Sequence, residues 1–155
     1  MDKMRESFFA CLGDLSALSF LDLFTGSGVI ALEAASRGAV YIEAVEADKL
    51  KRKTLLDNVS ISPVRINCRF MPVELYVKRA KTKFDIIFLD PPFPYQFKWE
   101  LVSNIANSNL AAENSKILIH RPRDDWQKTE IPNLKKYDSR QYGRSVVDFF
   151  LMGLR

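Results

Sequence analysis

The sequence predicts an α/β protein: a doubly wound, mostly parallel sheet that closes with an antiparallel C-terminal hairpin strand. Three observations carry this. From Ser19 to His120, short apolar runs alternate with runs of helical spacing, the pattern of parallel strands joined by crossover helices. The first apolar run breaks at Thr25-Gly26-Ser27-Gly28 and a helical run follows at once, a strand, glycine turn and helix in sequence. The last two strand-like runs, Leu134 to Arg140 and Ser145 to Leu151, stand too close together for a helix to intervene.

The elements follow in order. Met4, Phe8, Phe9, Cys11 and Leu12 recur at near-helical spacing, so residues 1–15 predict a short amphipathic helix ending near Gly13. Ser19 to Phe24 is the first strand, and Val29 to Arg37 is the helix after the glycine turn, stopped by Gly38. Val40 to Val45 makes a second strand, and Asp48 to Val59 a polar helix that Asn58 helps to terminate. Val64 to Phe70 reads as a third strand and Val73 to Arg79 as a short helix. Phe84 to Leu89 is a fourth strand that runs into Asp90-Pro91-Pro92-Phe93. Trp99 to Leu110 is helical, Lys116 to His120 is a fifth strand, and the closing hairpin turns near Tyr142-Gly143. No repeat, low-complexity segment or linker interrupts this order, so residues 1–155 read as a single domain.

Composition excludes several classes. With 155 residues, 47% of them hydrophobic and 27% charged, the chain has the material for one core and does not read as disordered. No apolar run approaches bilayer length, and Met1-Asp2-Lys3-Met4-Arg5-Glu6 lacks the basic-then-apolar start of a secretory signal, so a cytoplasmic protein with no membrane partner is expected. Cys11 and Cys68 have no C-x-x-C spacing, and His120 is the one histidine. That set supports neither a disulfide framework nor a zinc site; no metal is expected, and both cysteines are expected as small apolar core residues. The formal charge of +4 is compatible with a polyanionic partner. Basic residues gather in Arg65, Arg69, Lys78, Arg79, Lys81 and Lys83, and again in Lys135, Lys136, Arg140 and Arg144 around Tyr137 and Tyr142. Phosphate-contacting surfaces and solvated faces would both look like this.

The chemistry concentrates at two motifs. Ligands of doubly wound sheets bind beyond the carboxyl ends of the strands, which is where the Gly26-Ser27-Gly28 turn falls. Glycine there lets a ligand approach the backbone closely. About 20 residues later Glu46 ends the second strand, placed to accept hydrogen bonds from ribose hydroxyls, so an adenosine-containing cofactor is expected. The fourth strand delivers Asp90-Pro91-Pro92-Phe93 to the same sheet edge. The lone pair of a base amine is delocalised into its ring until both N–H groups are held, and Asp90 with the Pro91 carbonyl can hold them and steer the nitrogen toward an electrophilic methyl. Phe93 offers an aromatic face for an unstacked base.

Taken together, these residues resemble a known family. The run Phe20-Leu21-Asp22-Leu23-Phe24-Thr25-Gly26-Ser27-Gly28, then Glu33-Ala34, Ser36-Arg37-Gly38-Ala39, Val45-Glu46, Phe84-Asp85 and Phe88-Leu89-Asp90-Pro91-Pro92-Phe93, is similar to RsmD, the bacterial 16S ribosomal RNA guanine-N2 methyltransferases. Asp2-Lys3-Met4-Arg5-Glu6-Ser7-Phe8-Phe9 is similar to the segment just before that family's first strand. The glycine motif is shared by class I methyltransferases at large and D-P-P-F by amino-methyltransferases of DNA, RNA and protein; their combination with Ser36 to Ala39 points to RsmD. The resemblance implies a seven-stranded, Rossmann-like class I fold, S-adenosyl-L-methionine as donor and the N2 amine of a guanine in small-subunit ribosomal RNA as acceptor. It implies ribosomal RNA or the small ribosomal subunit as partner; a monomer is expected. By the same resemblance the cofactor lies against Asp22, Phe24, Thr25, Gly26, Ser27, Gly28, Glu46, Ala47, Met71 and Pro72, while Asp90, Pro91, Pro92 and Phe93 form the catalytic segment.

The sequence departs from that pattern in three places. The family's N-terminal β-hairpin and threonine-containing segment would precede Asp2 and are expected to be absent. Where the family places an aspartate for the adenine amine, this chain reads Phe70-Met71-Pro72-Val73, which leaves the adenine to apolar and backbone contacts or to Glu74. The fifth strand ends in His120 where an acidic residue is usual, and His120 is expected as a satisfied structural residue rather than a base. Other readings stay open: methylation of another planar amine, such as adenine N6 or a glutamine amide; a shortened inactive cofactor- or RNA-binding relic; and a nicotinamide oxidoreductase. The last accounts for Gly26, Gly28 and Ala31 but leaves Asp90-Pro91-Pro92-Phe93 unexplained.

Overall fold

Side chains along a strand alternate between the two faces of a sheet, so each strand's sequence decides which helices can cover it. The structure, a computed structural model, describes residues 2–154. Its elements are α1 (Asp2–Leu12), β1 (Ser19–Leu23), α2 (Val29–Ser36), β2 (Tyr41–Glu46), a 3-10 turn (Lys49–Lys51), α3 (Arg52–Val59), β3 (Ile66–Phe70), α4 (Val73–Arg79) and β4 (Phe84–Leu89). Then come α5 (Lys98–Ala106), β5 (Ala111–Pro122), β6 (Leu134–Tyr142) and β7 (Ser145–Met152). The strands form one seven-stranded sheet in the order β3-β2-β1-β4-β5-β7-β6. β1 to β5 pair in parallel, and β7 inserts antiparallel between β5 and β6, as the doubly wound sheet with a closing hairpin requires.

Phe20, Ile42, Ala44, Ile86, Phe88 and Leu118 bury on one face against Phe8, Phe9, Ile30, Ala31 and Leu55 of α1, α2 and α3. Leu21, Leu23, Val45, Ile87, Leu89, Ile117 and Ile119 bury on the other against Val73, Val77, Leu101, Val102 and Ile105 of α4 and α5. Because both faces are covered, β1 and β4 read as nearly unbroken apolar runs. The Phe8 ring of α1 stacks on Phe88 of β4 with centroids 4.9 Å apart, which fixes the first helix over the centre of the sheet.

Several expectations change. The helix expected to reach Leu110 stops at Ala106, because Ser108 donates its hydroxyl to the Ile105 carbonyl and the Leu110 carbonyl is claimed by the Phe84 amide. β5 starts at Ala111, well before Lys116: Asn114 adopts φ 72 and Ser115 Oγ bonds both the Phe84 carbonyl and the Ala112 amide, so a polar stretch carries the strand through an irregularity. Asn58 does not terminate α3. Its amide donates 2.8 Å to the Ser27 carbonyl, and Ser60 caps the helix instead. Cys11 is exposed rather than in the core, since Met4, Phe8, Phe9 and Leu12 define the buried face of α1 and Cys11 lies off it; Cys68 is half-buried. Among the described residues no helix is long and apolar enough to cross a membrane.

Candidate active site

β1 is flanked by β2 and β4, and the register sets Leu23 beside both Val45 and Leu89, so three strands end side by side. Here the chain changes direction across the sheet, the switch point at which such folds hold ligands. A cleft of about 460 Å³ opens there, and Asp22, Phe24, Thr25, Gly26, Ser27, Glu46, Asp90, Pro91, Pro92 and Phe93 all line it. Gly28, Ala47, Met71 and Pro72 stand outside that lining. Met71 donates its amide to the Glu46 carbonyl at 3.1 Å, and Pro72 opens α4. Glu74 accepts a hydrogen bond from the Tyr95 hydroxyl and faces a separate groove between α4 and α5, which removes it from the cleft.

The turn after β1 is bent sharply. Phe24 (φ 61), Gly26 (φ 59) and Gly28 (φ 86) all occupy the left-handed region. A bulky residue pays about 1–3 kcal/mol for that conformation, and such strain clusters at ligand sites. A Cβ at Gly26 would enter open space, consistent with backbone left bare toward a ligand. Gly28 has a different reason: a Cβ would stand 2.6 Å from Leu55 Cδ1, so the glycine lets α3 pack on the turn.

Three carboxylates face the cleft, each in its own environment. Asp22 is fully buried; its Oδ2 accepts from Thr25 Oγ1 at 2.6 Å and from the Ala31 amide at 3.1 Å, while its Oδ1 is buried with no partner. Burial pushes its pKa up to about 7. Glu46 accepts the Gly26 amide on Oε1 and the Asp48 amide on Oε2, both at 2.8 Å, and thereby ties the ends of β1 and β2 together. Asp90 ends β4 with its amide on the Leu23 carbonyl, and its Oδ1 lies 2.9 Å from His120 Nδ1. The Phe93 ring, 48% exposed, meets the His120 ring edge-on with centroids 5.6 Å apart. The segment beyond is pinned: Tyr95 donates its amide to the Pro92 carbonyl, and buried Lys98 pairs with Asp125.

The cleft also gathers residues that the sequence reading missed. Met4 and Arg5 reach it from α1, Val29 and Ile30 from α2, and Lys51 from the 3-10 turn. Their signal in the sequence is weak, because a cation in an amphipathic helix or a lysine-rich polar run reads as a solvated face. His120 was expected to be satisfied; it is satisfied at Nδ1, through Asp90, while Nε2 is buried with no partner. Among the described residues no group of His, Cys, Asp and Glu is arranged to hold a metal ion.

Comparison with known proteins gives consistent matches. Residues 1–151 match the family described as conserved hypothetical protein 95. The ribosomal RNA small subunit methyltransferase D of Buchnera aphidicola subsp. Acyrthosiphon pisum is 29% identical over 130 residues, covering 79% of this chain and 65% of that protein. The tRNA1(Val) (adenine(37)-N6)-methyltransferase of Cytophaga hutchinsonii is 31% identical over 106 residues, 67% of this chain and 43% of that protein. This chain therefore spans less than two thirds of the length of either relative. A conserved hypothetical protein of Streptococcus pyogenes of known structure superposes with a TM-score of 0.89 at 27% identity, covering 96% of this chain and 94% of that one.

Proposed function

The chain belongs to the family described as conserved hypothetical protein 95, and from that membership we propose that it transfers a methyl group from S-adenosyl-L-methionine to the N2 amine of a guanine in small-subunit ribosomal RNA. The observation that carries the reading is that Asp90, Pro91, Pro92 and Phe93 line the same cleft as Gly26 and Glu46, so an amine-holding segment and a nucleoside-holding turn share one space. The name of the Buchnera relative supports the ribosomal RNA substrate.

The cleft fits the cofactor. The unpartnered buried oxygen of Asp22 is complementary to a cationic ligand group, and the Glu46 oxygens, each taken by one amide, keep lone pairs for a ribose diol. When bound, S-adenosyl-L-methionine supplies a methyl carbon on a sulfonium, whose C–S electrons return to sulfur as the amine lone pair bonds the carbon. Asp90 and the Pro91 carbonyl accept the two N–H groups and orient that lone pair. An arylamine proton is too weakly acidic for a carboxylate to remove beforehand, so Asp90 stabilises the positive nitrogen as it forms and takes its proton afterwards. The Asp90 side chain is 29% exposed, so that proton can leave to water. Phe93 stacks the base against the cleft mouth.

Labelled-methyl transfer to small-subunit RNA, transfer RNA, duplex DNA and protein, followed by nucleoside digestion, tests this. The expected product is N2-methylguanine in small-subunit RNA, formed roughly 10²–10³-fold more slowly by Asp90→Ala while cofactor affinity holds. An unchanged rate in that variant would reduce the segment to a structural proline turn. Label on an adenine of transfer RNA would favour the second reading, which the Cytophaga relative supports. Cofactor binding without transfer to any acceptor would favour the relic.

A further inference from the structure

We propose that His120 is a positioning residue for Asp90: its Nδ1–H holds the Oδ1 oxygen of the carboxylate, so that Oδ2 is the oxygen presented to the acceptor amine. The consequence for catalysis rests on the methyl-transfer reading above; the pairing itself does not.

The pairing is built on rigid elements. Ile119 of β5 pairs with Leu89 of β4, which brings the next residues of the two strands, His120 and Asp90, together at the sheet edge. On its other side His120 pairs with Val147 of β7, so the ring is anchored between two strands. His120 Nδ1 lies 2.9 Å from Asp90 Oδ1, and the ring packs edge-on against Phe93. One imidazole thus touches both the carboxylate that would hold the amine and the aromatic ring that would stack the base. The histidine side chain is 6% exposed and that of Asp90 29%, so the orienting group is shielded from water while the oriented one faces the cleft.

The hydrogen bond also sets the tautomer. A carboxylate only accepts, so Nδ1 carries the proton. His120 Nε2 is buried with no partner, and a second proton there would be a buried donor without an acceptor. The contacts therefore favour the tautomer with Nδ1 protonated and Nε2 bare. A ring already protonated at Nδ1 cannot receive the amine proton through that nitrogen, so His120 orients rather than relays. After methyl transfer the amine proton passes to Asp90 Oδ2 and from there to water. Arg121, the next residue of β5, is bidentate to buried Asp148 of β7, and Asp22 acts on Asp90 only through space.

Because His120 is the one histidine of the chain, two-bond proton–nitrogen correlation spectra of labelled protein report a single imidazole. The wild type should give a pyrrole-like Nδ1 and a pyridine-like Nε2, and Asp90→Ala, which removes the acceptor of the Nδ1 proton, should move that proton's resonance upfield and speed its exchange with water. An Nε2–H ring in the wild type, or an Nδ1 proton indifferent to Asp90→Ala, would overturn the pairing. In the transfer assay, His120→Leu should lower kcat by about 10- to 100-fold, the scale on which an outer hydrogen-bond partner acts through the group it orients. The KM for cofactor should hold, and His120→Asn, whose amide can stand where Nδ1 stood, should restore most of the rate. Equal impairment of the two variants at matched urea midpoints would mean a merely structural ring, and no impairment in either would overturn the proposal. If the wild type methylated no acceptor, the proposed reaction would fall, while the tautomer would still decide whether His120 holds Asp90.

Discussion

Replacing Asp22 by Asn should stabilise the ligand-free protein at about pH 8 and leave it nearly unchanged at about pH 4. Burial is the main reason Asp22 titrates near 7; the Thr25 hydroxyl opposes the rise, the charge on Asp90 adds to it, the Ala31 amide opposes it and Glu46 adds again. The unfolded chain, in which the group titrates near its ordinary value of 3.8, holds this proton less tightly than the native state. Stability from this group is therefore fully present below about pH 3.8 and is lost as the pH rises through about 7. At about 1.4 kcal/mol per pH unit, that interval corresponds to roughly 4 kcal/mol. Asn copies the protonated acid: its carbonyl can still accept from Thr25 and Ala31, and its neutral amide stands where the unpartnered oxygen stood. Urea unfolding of both proteins across this range should give stabilities that coincide in acid and diverge toward alkaline pH, by about 2 M in midpoint for a chain of this size. Saturating S-adenosyl-L-methionine should reverse the order, because a cationic ligand favours the ionised Asp22 that only the wild type can supply. A gap that does not change with pH would refute the argument, since the carboxylate would then be ionised and satisfied in the native state.

Other perturbations read separate parts of the site. Glu46→Ala should weaken S-adenosyl-L-methionine by about 1.5–3 kcal/mol, roughly 10- to 100-fold by calorimetry, and tighter binding of NAD than of S-adenosyl-L-methionine would sink the cofactor assignment. Gly28→Ala should cost about 1–3 kcal/mol in urea unfolding. Its penalty should shrink in a Leu55→Ala background, because the new Cβ would stand 2.6 Å from Leu55 Cδ1; strict additivity would show that φ alone is responsible. RNA affinity should fall steeply with salt, and charge reversal at the exposed Arg140 and Arg144 should weaken it regardless of RNA sequence, whereas a flat salt dependence would mark the hairpin cations as a solvated edge.

What could be read in the sequence was whatever depends on local pattern. α4 and β4 have the expected bounds, and the glycine turn, Glu46 and the Asp90 segment meet at one edge, because strand alternation and crossover geometry leave little choice. What could not be read was whatever depends on a partner distant in the chain. Ser115 looks like a loop residue until the Phe84 carbonyl needs its hydroxyl, 31 residues away. Asn58 looks like a helix terminator until the Ser27 carbonyl claims its amide, also 31 residues away. His120 looked structural because nothing in the pattern around it reveals that β5 sets it beside Asp90.

The same dependence on partners separates two ligand classes that the sequence leaves together. Gly26, Gly28 and Ala31 fit the loose fingerprint of dinucleotide-binding turns, in which free backbone amides at the start of a helix cradle a pyrophosphate. In this fold all three amides are already committed: Gly26 to Glu46 Oε1 at 2.8 Å, Gly28 to the Thr25 carbonyl at 3.0 Å and Ala31 to Asp22 Oδ2 at 3.1 Å. Two of those acceptors are carboxylates, so the turn presents negative charge where a dinucleotide site would present bare donors. A pyrophosphate brought there would meet Asp22 and Glu46 at close range and find these three donors occupied, an arrangement that costs desolvation without returning hydrogen bonds. A ligand with a cationic group beside its ribose meets the opposite situation. Asp22 and Glu46 stand beside the turn, and the unpartnered oxygen of Asp22 can accept from an ammonium group on such a ligand. The turn therefore disfavours the pyrophosphate that a dinucleotide cofactor brings and suits a sulfonium amino acid, which carries none.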